Sequence, residues 1–537
     1  MKVHQSFKIT ITAAFFAAVF IFAAAGCQSN TKGTVVKENP LYTELACDVP
    51  SLAEKYRDLF LVGSTSFIDE SYYYRHVNVT TPENELKPGP VHPRSPAFLN
   101  DTGAGYGQFF EDFKPDPQNP EWNFAPADSR LGPARGRNIN FHGHTLAWNS
   151  QSPQWMVNIV PDDPAGGSFA GYNFTNGNFI TRGRNPSPSN SAAGNIQISK
   201  ETARRIYYDH IFRAMRHYSS DDVRYAGSRL DNTDTGGKFE FLSWDVLNEE
   251  INDTHSSIIP VFPDEWRKVL RHTSWLRAMT GDDYGETMQH YVYLLFKYAH
   301  IAVPNAKMAD AFKTNYADFP DYLKQDSHDD GGSIDRYIAG KPPVLYYNDY
   351  GLNSPTKAKA AYNMIAELNT LWKTDPLYDN RNLIEGIGLQ AHYTVSNTLE
   401  KEVRASLELF RDLMDRGLLT TIAVSELDLV CGPAAPGGMV IGGNLPSRTQ
   451  ADAVGYQYAL LYRLFAEFSP YIQRVTTWGL AEPGWNSHLL LFRSINGNVY
   501  AAPGYYGAYD PDIFISGHSY LDDYFKPTAL QGKSPLP

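Results

Sequence analysis

The chain has 537 residues, of which 42% are hydrophobic and 13% aromatic, and it carries a formal net charge of −12 at pH 7. This composition predicts a packed globular protein. The acidic balance disfavours nucleic acid or an anionic membrane surface as the main partner, because both select for basic patches. An uncharged polymer is compatible with it. The 34 Tyr and 9 Trp exceed the needs of an ordinary core, and spare aromatic rings suit stacking on sugars.

The N-terminus has the pattern of an export signal. Lys2 and Lys8 precede an apolar stretch over residues 9–25, which ends at Gly26 and Cys27. The ending AAGC resembles a bacterial lipobox and predicts lipidation of Cys27. We therefore expect a lipoprotein signal peptide at 1–27, a tether at 28–50 that is polar over 28–40, and a catalytic domain at 51–537. The protein would be membrane-anchored, on the outer membrane or cell surface; ordinary secretion or an uncleaved anchor are the alternatives.

Strand-like apolar runs alternate with helical patterns along the rest of the chain, which implies a parallel sheet. A helix is expected at 52–57, a second after Ser354, and a third with its apolar stripe from Val403 to Met414 and Gly417 as its C-cap. Long stretches rich in Gly, Pro, Asn and Ser predict loops at 89–120, 161–198, 219–237, 310–340 and 432–445. The eight candidate strands lie near 59–63, 77–80, 139–148, 239–248, 344–348, 384–392, 420–426 and 475–480.

Two of these runs end in a glutamate. Residues 243–250 read SWDVLNEE and place Glu249 at a strand end, and residues 419–428 read LTTIAVSELD and deliver Glu426. Two carboxyl groups are the minimum equipment for cleaving a glycosidic bond, one as acid and the other as nucleophile or base. In a (β/α)8 barrel the catalytic residues lie at the carboxyl ends of strands.

Further motifs follow other strands: TPENELK at 81–87, HGHTLAWNSQ at 142–151, YYNDY at 346–350, GLQAH at 388–392 and TWGLAE at 477–482. Their order and content resemble glycoside hydrolase family 10, the endo-β-1,4-xylanases, from about residue 63 to residue 485. The resemblance implies a (β/α)8 TIM barrel with several long loop insertions, retaining hydrolysis of xylan or xylo-oligosaccharides, and no metal or organic cofactor. A monomer is expected.

The resemblance also assigns roles by motif. Glu249 is the expected acid/base and Glu426 the nucleophile, with Asn248 binding the sugar 2-hydroxyl and His392 and Asp428 supporting the nucleophile. Trp148, Trp478 and Trp485 are expected to form the wall of the cleavage subsite. Asn348 and Tyr350 are expected to line the leaving-group side. The expected substrate-binding set is Glu83, Asn84, Lys87, His144, Trp148, Gln151, Asn348, Tyr350, Gln390, Trp478 and Trp485.

This sequence departs from the family pattern at several positions. Asn149 stands where His is usual, Ser425 where Thr is common, and Glu482 and Gly484 where Asp and Ser are usual. The segment from Trp478 to Trp485 is one residue short. These changes bear on the shape of the sugar-binding subsites and on which sugar is tolerated, rather than on the chemistry.

Other interpretations stay open at this stage. His142 and His144 have the spacing of a metal-dependent amidohydrolase pair, although no complementary ligand set follows. A glycan-binding lipoprotein that keeps the barrel as a platform, or a glycosidase acting on another β-linked plant or algal polysaccharide, would share the motifs. Cys47 and Cys431 could pair or remain free thiols, and the acidic loops at 231–234 and 326–330 do not match a calcium-loop ligand order.

Overall fold

Eight parallel strands close into a barrel in a computed structural model of the chain. It describes residues 41–65, 71–91, 123–134, 137, 139–152, 159–161, 196–198, 200–219, 241–253, 263–271, 279–280, 287–315, 318–320, 323, 341–440, 444–482 and 489–525. The barrel strands, in chain order, are β1 Leu61–Ser64, β2 Val79–Thr80, β3 Asn140–Gly143, β4 Phe241–Asn248, β5 Val344–Asp349, β6 Gly386–Leu389, β7 Thr421–Val430 and β8 Ile472–Thr477.

Each strand pairs with its neighbours in sequence, and β8 returns to β1 through Val62 opposite Val475. Pairing of β6 with β7, Leu389 opposite Val424, completes the ring. The predicted TIM barrel is confirmed, with all eight strands where the apolar runs placed them. Strand bounds differ slightly: the first begins at Leu61 rather than residue 59, and the last covers Ile472–Thr477 rather than 475–480.

Helices follow the strands and cover the outside of the barrel. Pro355–Trp372 starts at Ser354 with its proline in the first turn, where a missing N–H costs nothing. Gly417 ends Leu399–Asp415 with φ +66°, as predicted for a C-cap. The other helices are Leu52–Lys55, Ser71–His76, Pro88–Val91, Ala125–Leu131, Lys200–Ser219, Tyr291–Ala302, Ala306–Thr314, Arg448–Glu467, Pro503–Tyr509, Pro511–Gly517 and Asp522–Phe525, with 3-10 turns at Gly132–Ala134, Pro263–Val269, Thr287–Gln289 and Ser519–Leu521.

Short strands extend or flank the barrel. Ala147–Trp148 pairs with the end of β4, and His392–Thr394 pairs with the end of β7. Ala481–Glu482, Phe492–Ile495 and Asn498–Ala501 form a small separate sheet, and Ile159–Pro161 pairs with Ile196–Ile198. Trp244 lies on the outer face of β4, where its ring meets Tyr218 of the helix Lys200–Ser219 and occupies the space in which a Cβ on Gly143 would lie.

Two predicted boundaries were wrong. The loop expected at 310–340 begins inside the helix Ala306–Thr314, whose buried Met308 and Phe312 share one face. The tether expected to reach residue 50 ends by residue 40, because Leu41, Tyr42, Ala46 and Val49 are buried. The backbone of this segment also pairs with the strand Asn498–Ala501 of the small sheet, through Ala46 N to Val499 O at 2.8 Å and Ala501 N to Glu44 O at 2.8 Å. The rest of the tether, the signal peptide with Cys27, and most of the predicted loops lie outside the described residues.

Candidate active site

Glu249 and Glu426 both lie at the carboxyl end of the barrel. Glu249 follows the last residue of β4, and its N–H donates to Asn348 O on the neighbouring β5 at 2.9 Å. Glu426 lies within β7, and its side chain is only 6% exposed. Since the strands are parallel, both carboxyl groups emerge at the same edge, as the sequence predicted.

A chain of side-chain amides joins the two carboxylates. Asn348 Nδ2 lies 2.7 Å from Glu426 Oε1 and 2.9 Å from Asn248 Oδ1. Gln390 Nε2 lies 3.1 Å from the same Asn248 oxygen and 3.0 Å from Glu249 Oε1. With its amide turned by 180°, Asn248 would instead donate to Asn348 O at 3.2 Å. In either orientation three strand-end amides hold the two glutamates around one space.

His392 and Asp428 hold the carboxylate of Glu426 in place. His392 contacts Glu426 Oε2 through Nε2 at 3.3 Å and Asp428 Oδ1 through Nδ1 at 2.9 Å. Burial alone would lower the pKa of His392, but its hydrogen bonds to Asp428 and Glu426 and their charges raise it to about 10. The imidazole is therefore protonated at neutral pH and presents a cation to the nucleophile.

Glu426 is kept ionised by this environment. Burial on its own would raise the pKa of Glu426, but the hydrogen bond from His392 and the positive potential of His144 and His392 together lower it below its ordinary value. An ionised carboxylate is the form that attacks an anomeric carbon. The contacts of Glu249 are of another kind: its carboxyl group accepts from Trp148 Nε1 at 2.9 Å and from Gln390. One glutamate is thus paired with a cation and the other with neutral donors, which is the asymmetry an acid and a nucleophile need.

The loop after β2 carries several of the predicted sugar-binding residues, and Lys87 connects it to the active site. Lys87 is 5% exposed, donates from Nζ to Asn84 Oδ1 at 2.9 Å, and lies 4.7 Å from the centre of the Trp148 ring. Burial lowers the pKa of Lys87, against the opposing fields of Glu426, Glu83 and Glu249. Lys87 thus lies next to Trp148, which itself donates to Glu249, and the sugar-binding roles of Lys87 and Glu83 stay predictions.

Trp478, a predicted wall residue, contacts the two histidines nearest to Glu426. It is 7% exposed, and its ring meets that of His144 edge-on at 5.4 Å and that of His392 at 6.3 Å. Gln151 lies at the rim with an exposed side chain, and its carbonyl accepts from Gly89 N at 2.7 Å. Trp485, the other predicted wall residue, lies outside the described residues.

The two histidines of the HGH motif have a structural explanation. Asp245 Oδ2 lies 3.0 Å from His142 Nε2 and 2.9 Å from His144 Nδ1 inside the barrel. His142 also contacts Ser243 Oγ at 2.8 Å and the guanidinium of Arg474 at 2.9 Å. Burial, then Arg474, lower the pKa of His142 to about 4, so this ring is neutral. In the described part of the chain, no group of three His, Cys, Asp or Glu side chains could hold a metal ion.

The residues that depart from the family pattern make defined contacts in the structure. Asn149 Nδ2 donates to Glu249 O at 3.2 Å, and Ser425 Oγ donates to Asn348 Oδ1 at 2.6 Å. Glu482 pairs with Arg493 at 2.5 Å, and burial raises the pKa of Glu482 to about 7 although Arg493 opposes it. Ser425 and Asn149 therefore act on the site, whereas Glu482 ties the segment after β8 to the small sheet.

Sequence reasoning missed the residues that surround Tyr350 on the leaving-group side. Arg271 Nη2 donates to Tyr350 OH at 2.7 Å, and the same hydroxyl donates to Asp253. Lys357 Nζ lies 3.7 Å from the centre of the Tyr350 ring and 2.8 Å from Asp253 Oδ1. Lys357 lies in the first turn of the helix Pro355–Trp372, where the sequence pattern indicates an ordinary surface position. No motif marks these positions, because they meet only when the chain folds.

A parallel barrel that presents an ionised glutamate and a second glutamate held by neutral donors is the arrangement of a glycoside hydrolase. A family model described as "Glycosyl hydrolase family 10" matches residues 60–170 and 339–505, together more than half of the chain. The chain belongs to glycosyl hydrolase family 10. Glu249 falls between the two matched segments, so its assignment rests on the order of the strands and on the contacts described above.

Known proteins resemble the chain over most of its length. Endo-1,4-β-xylanase B of Paenibacillus barcinonensis is 23% identical over 443 residues, which is 82% of this chain and 89% of that protein. An endo-1,4-β-xylanase of Geobacillus stearothermophilus is 23% identical over 451 residues, 83% of this chain and 91% of that protein.

Solved structures share the fold. A family 10 xylanase from termite gut that contains a bacterial Ig-like domain has a TM-score of 0.56 at 20% identity, over 89% of this chain and 81% of that one. A xylanase of Paenibacillus barcinonensis in complex with a conduramine derivative has a TM-score of 0.53 at 21% identity, over 87% of this chain and 99% of that one.

In the described part of the chain, no helix has the length and apolar character required to span a bilayer.

The raised pKa of His392 predicts a pH-dependent stability. Because the folded-state pKa of about 10 exceeds the ordinary value of 6.5, the protonated imidazole stabilises the fold fully below about pH 6.5 and loses this effect as the pH rises through 10. His392→Gln should lower the free energy of unfolding by about 3–5 kcal/mol at pH 7, since it leaves buried carboxylates without their cation. Urea unfolding of both proteins from pH 7 to 10 should show this difference shrinking; a constant difference would contradict the assignment.

Proposed function

We propose that the protein is an endo-acting, retaining β-1,4-xylanase. Membership of glycosyl hydrolase family 10 supports this, as does the naming of the relatives above as endo-1,4-β-xylanases. The single structural observation that carries the mechanism is the different surroundings of the two glutamates, with His392 3.3 Å from Glu426 and neutral donors on Glu249.

The reaction follows from these surroundings in two displacements. In the first, the Glu426 carboxylate attacks the anomeric carbon while Glu249 gives its proton to the departing glycosidic oxygen, and a covalent glycosyl ester forms. In the second, the Glu249 carboxylate takes a proton from water, and the hydroxyl attacks the same carbon and releases Glu426. Asn248 binds the 2-hydroxyl of the sugar, a contact that strengthens as the ring gains oxocarbenium character.

Replacing each glutamate separates the two roles. Glu426→Ala should abolish turnover of every substrate, because no covalent intermediate can form. With an activated aryl leaving group that needs no protonation, Glu249→Ala should still form the glycosyl-enzyme and release it slowly, and added azide should accelerate release. Stopped-flow release of the aryl group with and without azide measures this. Equal loss in both variants, with no effect of azide, would mean that the roles are misassigned.

The substrate follows from the shape of the sugar. Xylose lacks the hydroxymethyl group on C5 of glucose, so a closely placed aromatic wall excludes glucose by steric conflict. Trp478 contacts the ring of His392 beside Glu426, and Trp485 is the second wall residue proposed from the family pattern. Its segment is one residue short and contains Gly484, which adds backbone freedom. We therefore propose strong preference for xylan with some activity on aryl glucosides.

Initial rates on four polymers test this preference. Arabinoxylan and glucuronoxylan should be cleaved much faster than carboxymethylcellulose and mannan, and the early products should be short oligosaccharides of mixed length, as internal cleavage produces. A rate that is highest on carboxymethylcellulose or mannan would overturn the xylan assignment and leave the glycosidase mechanism standing.

We also propose that the enzyme is a bacterial lipoprotein anchored through Cys27 on the outer membrane or cell surface. The apolar run that ends in Gly26 and Cys27 supports this, and acyl chains attached at such a cysteine hold a protein to the membrane by burying their CH₂ groups in the bilayer. Cys27→Ser should abolish incorporation of a fatty-acid analogue and move the enzyme to the soluble fraction or leave its signal peptide uncut. Labelling that is unchanged in Cys27→Ser would refute lipidation, whatever the substrate proves to be.

A further inference from the structure

The backbone of Glu249 is held in an unusual conformation by side chains from two separate segments. Its φ of +58° lies in the left-handed region, which residues other than glycine seldom adopt. Its carbonyl oxygen accepts from Arg271 Nε at 2.5 Å and from Asn149 Nδ2 at 3.2 Å, while its N–H donates to Asn348 O. Such conformations persist where the surroundings determine them, and they concentrate at functional sites.

Arg271 reaches this carbonyl because its segment pairs with the residues that follow Glu249. Arg271 N donates to Glu250 O and Asn252 N donates to Val269 O, both at 2.7 Å, with Ile251 opposite Leu270. The start of the segment is fixed on the helix Pro355–Trp372, where Arg267 forms an ion pair with Glu367. The guanidinium is therefore carried by a short antiparallel ladder rather than by a free loop.

The other end of the guanidinium faces the leaving-group side. Arg271 Nη2 donates to Tyr350 OH at 2.7 Å. Burial alone lowers the pKa of Arg271, but Tyr350, Asp349, Glu249 and Asp253 outweigh it and raise the pKa above its ordinary value. The side chain is a permanent cation whose planar fork contacts the acid/base residue and an aromatic residue of the leaving-group side at the same time, a geometry that lysine does not reproduce.

We propose that Arg271 is a positioning residue for proton donation: through the Glu249 carbonyl and the Tyr350 hydroxyl it aligns the Glu249 carboxyl group with the departing glycosidic oxygen. This rests on the proposed glycosidase function. The step served is transfer of the Glu249 proton to that oxygen as its bond to the anomeric carbon breaks and the Glu426 ester forms. Misplacement of a reacting group by about 1 Å costs on the order of 10²-fold in rate.

The test compares two substrates that differ in their need for acid. Arg271→Met should lower kcat/KM for phenyl β-xylobioside by about 10-fold or more, part of the roughly 10²–10⁴-fold that a general acid contributes. With 2,4-dinitrophenyl β-xylobioside, whose leaving group needs no proton, kcat/KM should be nearly unchanged. On that second substrate kcat and KM should fall together, because release of the glycosyl-enzyme still needs Glu249 as base.

Three further variants separate positioning from a general structural effect. Arg267→Met removes the Glu367 ion pair of the same segment and should lower the melting temperature without distinguishing the two substrates. Arg271→Lys keeps the charge without the fork and should show the same substrate discrimination, with a smaller loss. In the Glu249→Ala background, Arg271→Met should cause no further loss on the phenyl substrate, because residues that act as one unit are non-additive.

The outcomes are distinguishable from failure of the proposed function. Equal loss of kcat/KM on both substrates in Arg271→Met, or the same discrimination in Arg267→Met, would overturn the positioning role in an enzyme that remains a glycosidase. A wild-type protein with no activity on either xylobioside and none on xylan would instead overturn the proposed function.

Discussion

Parallel pairing of β5 with β4 and β6, with an irregularity in β4 between Asp245 and Leu247, places Asn248 opposite Asn348 and Asn348 opposite Gly388. The rest of the active site depends on this constraint. Asn348 occupies the space beside Gly388, where a Cβ would come within 2.3 Å of Asn348 Oδ1, and from there it reaches both Asn248 and Glu426. A shift of one residue in any of these strands would reverse the direction of every side chain along it. Backbone hydrogen bonding thereby sets where the two carboxyl groups lie.

The barrel supplies position, and the neighbours of each glutamate supply its chemical role. Glu426 faces a histidine whose second nitrogen is held by Asp428, so that a cation remains beside a buried carboxylate. Glu249 instead receives neutral N–H donors from Trp148 and Gln390. Two identical side chains are thus suited to opposite tasks because their electrostatic surroundings differ, as general acid–nucleophile pairs require. Arg271 extends this arrangement toward the leaving group by holding the backbone of the acid.

Much of the fold could be predicted because periodic apolar runs and glycine or proline signals are local. Gly417 at φ +66° and Pro355 in the first turn of its helix are examples in which one residue type determines where a helix ends or begins. The boundaries of elements were predicted less accurately than their existence. The end of the helix Ala306–Thr314 falls in the stretch 310–340, whose composition indicated a loop, and residues 41–50 are held by pairing with the strand Asn498–Ala501, more than 400 residues away.

For the candidate site, the sequence by itself determined which residues are suited to the chemistry: two glutamates at strand ends, an asparagine before one of them, and a histidine and an aspartate near the other. Side-chain chemistry and strand periodicity are both properties of consecutive residues, so local patterns were sufficient to identify these candidates. Only the tertiary structure decided that Arg271 contacts the carbonyl of Glu249, that Asn149 contacts the same atom, and that His142 and His144 share Asp245. These contacts join segments with no fixed spacing in the sequence. They exist because barrel closure brings separate strand ends and loops within hydrogen-bonding distance, which no local pattern encodes.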